Sequence, residues 1–168
     1  YEQKLLFKVN LIGSENLIPL HERIFSSEVR NYPFITSFGL EYKLQPSISM
    51  ELEGMAKGFL NQYESSWINP GVRYYPHKRL KSNSRHNRVN NFSGQYFRIG
   101  FLKRFNDNKE AFLFDSGYRF AYGIQEKGEK WDYLDISVIL SYNNTFGLLD
   151  LSTRIVSGIS YAKSKQTT

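Results

Sequence analysis

FLFDSGYRFAYGI, residues 112–124, alternates between apolar and polar or small side chains with a period of two. One parity begins at Phe112 and is mainly aromatic, whereas the other carries Asp115 and Arg119 among small residues. A period of two is typical of a β-strand whose two faces meet different environments. The stretch is longer than the ~5–6 residues usual in soluble strands, and a tilted strand needs ~9–11 residues to cross a bilayer. It therefore predicts a transmembrane β-strand.

The same alternation recurs along the whole chain. It predicts eight strands, at residues 3–12, 33–44, 48–60, 67–76, 92–105, 110–124, 131–143 and 148–161. Strands of this kind predict an all-β fold, an antiparallel transmembrane β-barrel with a polar, charged interior and an apolar, lipid-facing exterior. Residues 17–25 could add a strand, which leaves a ten-stranded barrel as the alternative. We expect residues 1–162 to form the barrel and residues 163–168 a polar C-terminal tail.

The composition agrees with this pattern and excludes some functions. The 168 residues include no cysteine, so a disulfide framework, a cysteine metal site and a thiol nucleophile are excluded. Aromatic residues make up 16% of the chain, yet the mean hydropathy is −0.48. A chain that is rich in aromatic residues but polar on average must place its apolar side chains selectively, as a two-faced strand does.

The small residues of the polar parity indicate which side faces inward. Gly39, Gly117, Gly123 and Gly158 share that parity with long charged side chains, a mixture that a narrow barrel interior requires. The apolar parity is interrupted chiefly by Lys103, near a strand end. The opposite arrangement, a soluble lipocalin-like ligand-binding barrel, is the alternative. Aromatic residues near the strand ends predict the two interfacial girdles of a membrane barrel: Trp67, Tyr74, Trp131, Tyr142 and Tyr161.

Charged residues of the inward parity predict a paired lumenal network, because burying an unpaired charge is costly. Its expected members are Glu41, Lys43, Glu51, Glu53, Lys57, Arg73, Arg98, Asp115, Arg119, Asp135 and Arg154. Hairpin parity predicts three pairs that fix the register: Leu44–Ile48, Phe105–Glu110 and Asn143–Leu148. The register sets Arg98 diagonal to Asp115 and Arg119 diagonal to Asp135. It also sets Glu41 opposite Glu51, with Lys43 as the nearest cation.

Two segments are candidates for contact with partners. Residues 77–90 are basic and contain no acid, and residues 13–32 contain apolar pairs that solubility does not require. The candidate residues for partner or lipid contact are Ile18, Leu20, Ile24, Phe25, Lys78, Arg79, Lys81, Arg85 and Arg88. The expected partners are outer-membrane lipid or lipopolysaccharide and another outer-membrane protein. Nucleic acid is not expected, because no recognised binding module surrounds the basic segment.

The sequence shows no catalytic or metal-binding constellation, so we expect neither a cofactor nor enzymatic activity. The hypothesis is a non-enzymatic structural or accessory subunit of a larger outer-membrane complex. A lipid-modifying barrel enzyme is the alternative within the membrane. Ser65 and Ser66 lie near a rim, but no histidine is predicted beside them.

The segments FGLEYKLQPSISMELEG (38–54), GVRYY (71–75) and LSTRIVSGISY (151–161) resemble the small outer-membrane barrels of the OmpX and OmpA-transmembrane type. The resemblance is one of pattern and covers nearly the whole chain. It implies an eight-stranded antiparallel barrel in the bacterial outer membrane with both termini in the periplasm. Such a protein is exported by a signal peptide, which we expect to have been cleaved. One departure is that the chain continues past Tyr161, whereas many such barrels end on an aromatic residue.

Overall fold

The structure is a computed structural model that describes residues 3–19, 30–34, 37–55, 65–76, 92–106, 116–127, 132–144 and 147–164. Its strands are β1 (Gln3–Pro19), β2 (Arg30–Phe34), β3 (Ser37–Gln45), β4 (Ile48–Met55), β5 (Ser65–Tyr74), β6 (Gly94–Asn106), β7 (Ser116–Lys127), β8 (Asp132–Asn143) and β9 (Leu148–Ser164). In that part of the chain, no helix has the length and hydropathy needed to cross a membrane.

The strands close into an eight-stranded antiparallel barrel, as the sequence predicts. β2 and β3 both pair with β1, and the pairs Gly13–Phe34 and Asn10–Ser37 keep one register, so the two segments act as one barrel strand. From β3 onward each strand pairs with the next, and β9 pairs with β1 to close the sheet. The ten-stranded alternative is therefore wrong.

The first and last strands are longer than the sequence predicts. β1 continues to Pro19, which pairs with Asp150 of β9. Residues 13–19 and 30–34, expected to be loop for the most part, thus belong to the barrel wall. β9 continues to Ser164, past the expected barrel boundary at residue 162. Of the predicted strand ends, residues 56–60 and 110–115 lie outside the described residues.

One of the three predicted hairpin pairs agrees with the structure in full, and a second agrees in register but not at the turn. Asn143 pairs with Leu148. In the β3–β4 hairpin Glu41 pairs with Glu51 as predicted, although a bulge at Leu44 makes Gln45, not Leu44, the partner of Ile48. The bulge shortens the turn to Pro46 and Ser47.

The predicted β6–β7 register is wrong by four residues. Phe101 pairs with Tyr118 instead of Phe114, the partner implied by the predicted Phe105–Glu110 pair. The Phe101 and Tyr118 rings meet edge to face with centroids 5.4 Å apart. Phe97 makes a similar ring contact with Tyr122 at 5.1 Å. A shift of four residues leaves every side chain on its predicted face, so alternation alone cannot detect the error.

The apolar parity faces outward and the polar parity faces the lumen. Phe38 is 48% exposed and Ile99 is 59% exposed, whereas Glu41 is fully buried. Along β8, buried and exposed residues alternate at every position. This arrangement is the reverse of a soluble ligand-binding barrel, so that alternative is wrong. The fold is a transmembrane β-barrel whose outer wall suits hydrocarbon.

We call the end of the barrel that carries Gln3, Ser164 and the Pro46–Ser47 turn the terminal end, and the other the distal end. Of the predicted girdle residues, Tyr74 and Tyr161 are exposed near the terminal end and Tyr142 near the distal end. Trp67 differs from the prediction, because it pairs with Arg104 on the inward-facing parity. Trp131 lies outside the described residues.

Candidate functional site: the lumenal charge network

The barrel interior contains buried charges of both signs in nearly equal number. Among the described residues they comprise six bases and five acids: Lys8, Lys43, Arg73, Arg98, Arg119, Arg154, Glu41, Glu51, Glu53, Asp135 and Asp150. Every predicted member of the network that the structure describes is buried. The remaining two predicted members, Lys57 and Asp115, lie outside the described residues.

Glu51 is the acceptor at the centre of this cluster. Lys8 Nζ lies 2.8 Å from its Oε1, and Arg73 Nε lies 2.9 Å from its Oε2. Arg98 Nε donates to the same Oε2 at 2.7 Å. Three cations from three strands therefore converge on one carboxylate, so its buried charge is paired, as a charge removed from water must be.

Glu41 and Glu51 are directly opposite each other, and the intervening cation is Lys8, not Lys43 as predicted. Lys8 Nζ lies 2.9 Å from Glu41 Oε2 as well as 2.8 Å from Glu51. Glu41 Oε1 also accepts from Ser49 Oγ at 2.6 Å and from the Tyr75 hydroxyl at 2.7 Å. Lys8 reaches both carboxylates because β1 adjoins β3 and its side chain points into the lumen.

Arg73 of β5 bridges the lumen. Its Nε bonds to Glu51 on β4, while its Nη2 lies 2.8 Å from Asp135 Oδ2 on β8. β4 and β8 lie on opposite sides of the eight-stranded barrel. Arg73 Nη1 also donates to Gln125 Oε1 at 2.5 Å, and the guanidinium lies 4.1 Å from the centroid of the Tyr96 ring. All three nitrogens of the guanidinium are thus engaged.

The predicted partners of Asp135 and Arg98 are corrected by these contacts. Asp135 pairs with Arg73 across the lumen instead of with Arg119, whose register partner on β8 is Ser141. Arg98 bonds to Glu51 and to the backbone oxygen of Asn69, at 2.8 Å. Its predicted neighbour Asp115 lies outside the described residues. The observed registers are the physical reason. Arg98 lies opposite Ala121 of β7, and Asp135 lies opposite Gln125, six residues from Arg119.

Arg98 also fills a gap in the β5–β6 ladder. The pairs stop at Ile68–Lys103 and resume at Gly71–Gly100, and the interval contains Pro70, which has no N–H to donate. The Asn69 carbonyl in this interval accepts from the Arg98 guanidinium instead. A lumenal cation therefore binds a backbone carbonyl within the interruption of the β5–β6 ladder.

Glycines on the inner wall make room for these long side chains. A Cβ on Gly100 would lie 2.5 Å from Arg98 Nη1, and one on Gly71 would lie 2.9 Å from the Arg98 guanidinium carbon. A Cβ on Gly123 would lie 2.7 Å from the Tyr96 hydroxyl. The predicted mixture of small and long residues on the inner face is confirmed by these close approaches.

Nearer the distal end, a second cluster also crosses the lumen. Arg154 of β9 makes a two-point contact with Glu53 of β4, through Nη1 to Oε2 at 2.9 Å and through Nη2 to Oε1. Asn10 Nδ2 approaches Glu53 Oε1 at 3.4 Å and also bonds to Ser37. The Glu53–Arg154 pair has the parallel geometry that makes arginine–carboxylate contacts strong.

Aromatic side chains that are not among the predicted site residues are buried at the terminal end of the lumen. Tyr75 and Phe92 are buried, and the Lys43 ammonium lies 3.5 Å from the centroid of the Tyr75 ring. Gln125 Nε2 donates to the backbone oxygen of Phe92 at 2.8 Å. Inward parity marks both in the predicted strands, since Tyr75 shares it with Arg73 and Phe92 shares it with Arg98.

Residues on both sides of the basic segment 77–90 are hydrogen-bonded to the barrel. Tyr75 N donates to Ser47 O at 2.8 Å, and Lys127 N donates to Ser93 Oγ at 2.9 Å. The connection therefore leaves and re-enters at the terminal end. Of the nine predicted contact residues, Ile18 lies in β1 with Leu151 as its register partner. The other eight lie outside the described residues.

The chemistry of the lumen is dominated by ion pairs between glutamate side chains and cations. Within the described ranges, no group of three or more His, Cys, Asp or Glu side chains is arranged to hold a metal ion. Glu41, Glu51 and Glu53 each contact a cation. Gln125 adds a neutral bridge from β7, with Nε2 3.3 Å from Glu41 Oε2 on the opposite strand β3. The arrangement fixes the width of the barrel in two directions.

No protein-family model and no curated protein matches the chain. Among solved structures it is similar to Ail, the attachment invasion locus protein of Yersinia pestis, with 9% identity and a TM-score of 0.44 over 96% of this chain and 100% of that chain. A second Ail structure, in complex with the heparin analogue sucrose octasulfate, gives 10% identity and a TM-score of 0.46 over the same shares. At this distance the likeness carries no inference about what this chain binds or does.

Proposed function

We propose that the protein is a non-enzymatic integral barrel of the bacterial outer membrane that acts as a structural or accessory subunit of a larger outer-membrane complex. The observation that carries the proposal is the bridge from Glu51 through Arg73 to Asp135, which joins opposite walls of the lumen. A barrel of eight strands has an interior only wide enough for side chains. Side chains that are bonded to one another across that interior leave no room for a water column.

A closed lumen leaves the outer wall and the two ends for interaction. The outer wall presents apolar side chains such as Phe38 and Val138, which suit lipid. The sequence supplies two unusual segments beyond the strands, and they belong to opposite ends. β5 ends and β6 begins at the terminal end, and the basic segment 77–90 falls between them in the sequence. β1 ends and β2 begins at the distal end, and Leu20, Ile24 and Phe25 fall between them in the sequence.

This separation assigns different partners to the two ends. If the termini are periplasmic, the distal end meets the outer leaflet, where the lipid is lipopolysaccharide. The apolar residues there are proposed to contact lipopolysaccharide acyl chains or another outer-membrane protein. Lys78, Arg79, Lys81, Arg85 and Arg88 are then proposed to meet an acidic protein or phospholipid phosphates at the periplasmic surface, an attraction that weakens with salt.

Crosslinking in intact membranes tests the accessory role. A photo-activated crosslinker is placed at Ile24, at Lys81 and, as a control on the lipid-facing wall, at Ile99. The proposal expects protein adducts of defined mass at Ile24 or Lys81, with lipid adducts only at Ile99. Lipid or intramolecular adducts alone at all three positions would instead indicate a free-standing barrel.

A further inference from the structure

The outer wall of β9 differs from the rest of the barrel by carrying short polar side chains between its ends. Thr153 and Ser157 are both exposed on the outward-facing parity. Thr153 pairs with Val138, near the middle of β8, so it lies well inside the apolar band. Elsewhere on the described outer wall, positions away from the strand ends are aliphatic, aromatic or proline, apart from Lys103 on β6.

The backbone pairing gives the register partners of these residues on the neighbouring strand β1. Asn16 is the register partner of Thr153, and Ile12 is the register partner of Ser157. Between them, Ser14 pairs with the outward-facing Ile155. Antiparallel partners share a face of the sheet, so Ser14 and Asn16 hold outward positions on the seam where β1 and β9 close the barrel. We call this surface the β1–β9 seam.

A hydroxyl or carboxamide in the hydrocarbon region has no water to bond to. Side chains of this kind are instead typical of contacts between membrane segments, where they hydrogen-bond across the interface. The seam is also the tallest part of the wall, because β1 and β9 each contain 17 residues. These two features favour a protein, not lipid tails, as its neighbour.

We propose that the β1–β9 seam docks a second copy of this chain. Two copies that share one orientation in a membrane are related by a two-fold axis along the membrane normal. Each residue beside the axis then meets its own copy at its own depth. Like charges would repel in such a contact, whereas a hydroxyl both donates and accepts and so suits pairing with itself. The outward positions of the seam from Ile12 to Ile18 and from Leu151 to Ile159 contain no charged residue.

The proposed dimer does not depend on the accessory role, because docking through the seam leaves both ends of the barrel free. A dimer could therefore exist whether or not a second protein binds. Equally, a partner bound at residues 77–90 would leave the seam unaffected.

The chain contains no cysteine, so a single introduced thiol reports one position without a background. Thr153→Cys and Ser157→Cys test the seam, and Ile99→Cys on β6 is the control on the opposite wall, where it is exposed like the seam residues. After mild oxidation in native membranes, we expect a disulfide-linked species of twice the monomer mass from a seam variant and monomer only from Ile99→Cys. Monomer from both seam variants, or equal dimer from the control, overturns the proposal.

A second variant removes the polar groups without adding a thiol. Thr153→Val with Ser157→Ala keeps the outward shape while deleting both hydroxyls. We expect the purified protein to shift from dimer to monomer in mild detergent, with unchanged heat-modifiable mobility of the folded barrel. An unchanged dimer would mean that the seam is not the contact. Crosslinks from Thr153→Cys to a different protein would show that this protein, and not a second copy of the chain, occupies the seam.

Discussion

Arg73 should be coupled energetically to Asp135, although the two residues lie on non-adjacent strands. We consider Arg73→Met, which keeps the apolar stem, and Asp135→Asn, which keeps the shape of the carboxylate. Asp135 Oδ2 lies 2.8 Å from the guanidinium, and its Oδ1 accepts from the Tyr96 hydroxyl at 2.6 Å. Removing one partner of a buried ion pair costs about 3–5 kcal/mol, because the other charge stays buried.

The double variant should cost less than the sum of its parts. Once residue 135 is a neutral amide, the loss of Arg73 no longer leaves an unpaired buried charge there. Glu51 still loses one of its three cations. We therefore expect a coupling energy at the upper end of the usual ~0.5–3 kcal/mol for residues in contact. Asp150→Asn is the matched control, because Asp150 and Asp135 are each 5% exposed while Asp150 lies near the distal end of β9.

The assay is reversible urea unfolding in detergent micelles, followed by tryptophan fluorescence. The free energy of unfolding is measured for the parent, the single variants and the two double variants. We expect Arg73→Met and Asp150→Asn to be additive within about 0.5 kcal/mol, as distant sites usually are. Additivity of Arg73→Met with Asp135→Asn as well would refute the bridge across the lumen.

The other predictions concern the wall, the packing and the lumen. Phe38→Arg and Val138→Arg should each destabilise the folded barrel by about 2–4 kcal/mol, because both side chains face the apolar band. The yield of refolding into vesicles measures this effect, and unaffected folding of both variants would argue against a lipid-facing wall. Gly100→Ala should lower the free energy of unfolding by about 1–3 kcal/mol, because the added Cβ would overpack against Arg98. The urea midpoint should fall, and an unchanged midpoint would mean that the lumen is packed less tightly than described. Purified protein in planar bilayers should show no steady current, and a stable single-channel conductance would contradict the closed lumen.

The sequence predicted which face each residue occupies better than it predicted which residues meet. Alternation fixes the face of a side chain, and the inward placement of Glu41, Arg73 and Asp135 followed from it. Alternation is unchanged by an even shift of register, so it could not exclude the wrong pairing of Phe101 with Phe114. Only the length of the connection between β6 and β7 sets that register, and turn-forming residues occur at several places in it.

The register between neighbouring strands does not predict which side chains meet across the lumen. The bond between Arg73 and Asp135 depends on which strands stand opposite after closure. That arrangement follows from the number of strands and the stagger of the whole sheet. For the same reason Lys8 was not recognised as the cation between Glu41 and Glu51. β1 becomes their neighbour only through its pairing with β3 and β9.

The most direct test of the account is a cysteine scan of β8, which has the clearest alternation of burial. Single cysteines at residues 132–143 of the otherwise cysteine-free chain are labelled with a fluorophore, and the barrels are refolded into vesicles that contain brominated lipid. The account predicts strong quenching at Leu134 and Val138 and little at Asp135 and Ile139. Quenching with the opposite parity, or without a period of two, would contradict a charged interior enclosed by a lipid-facing apolar wall.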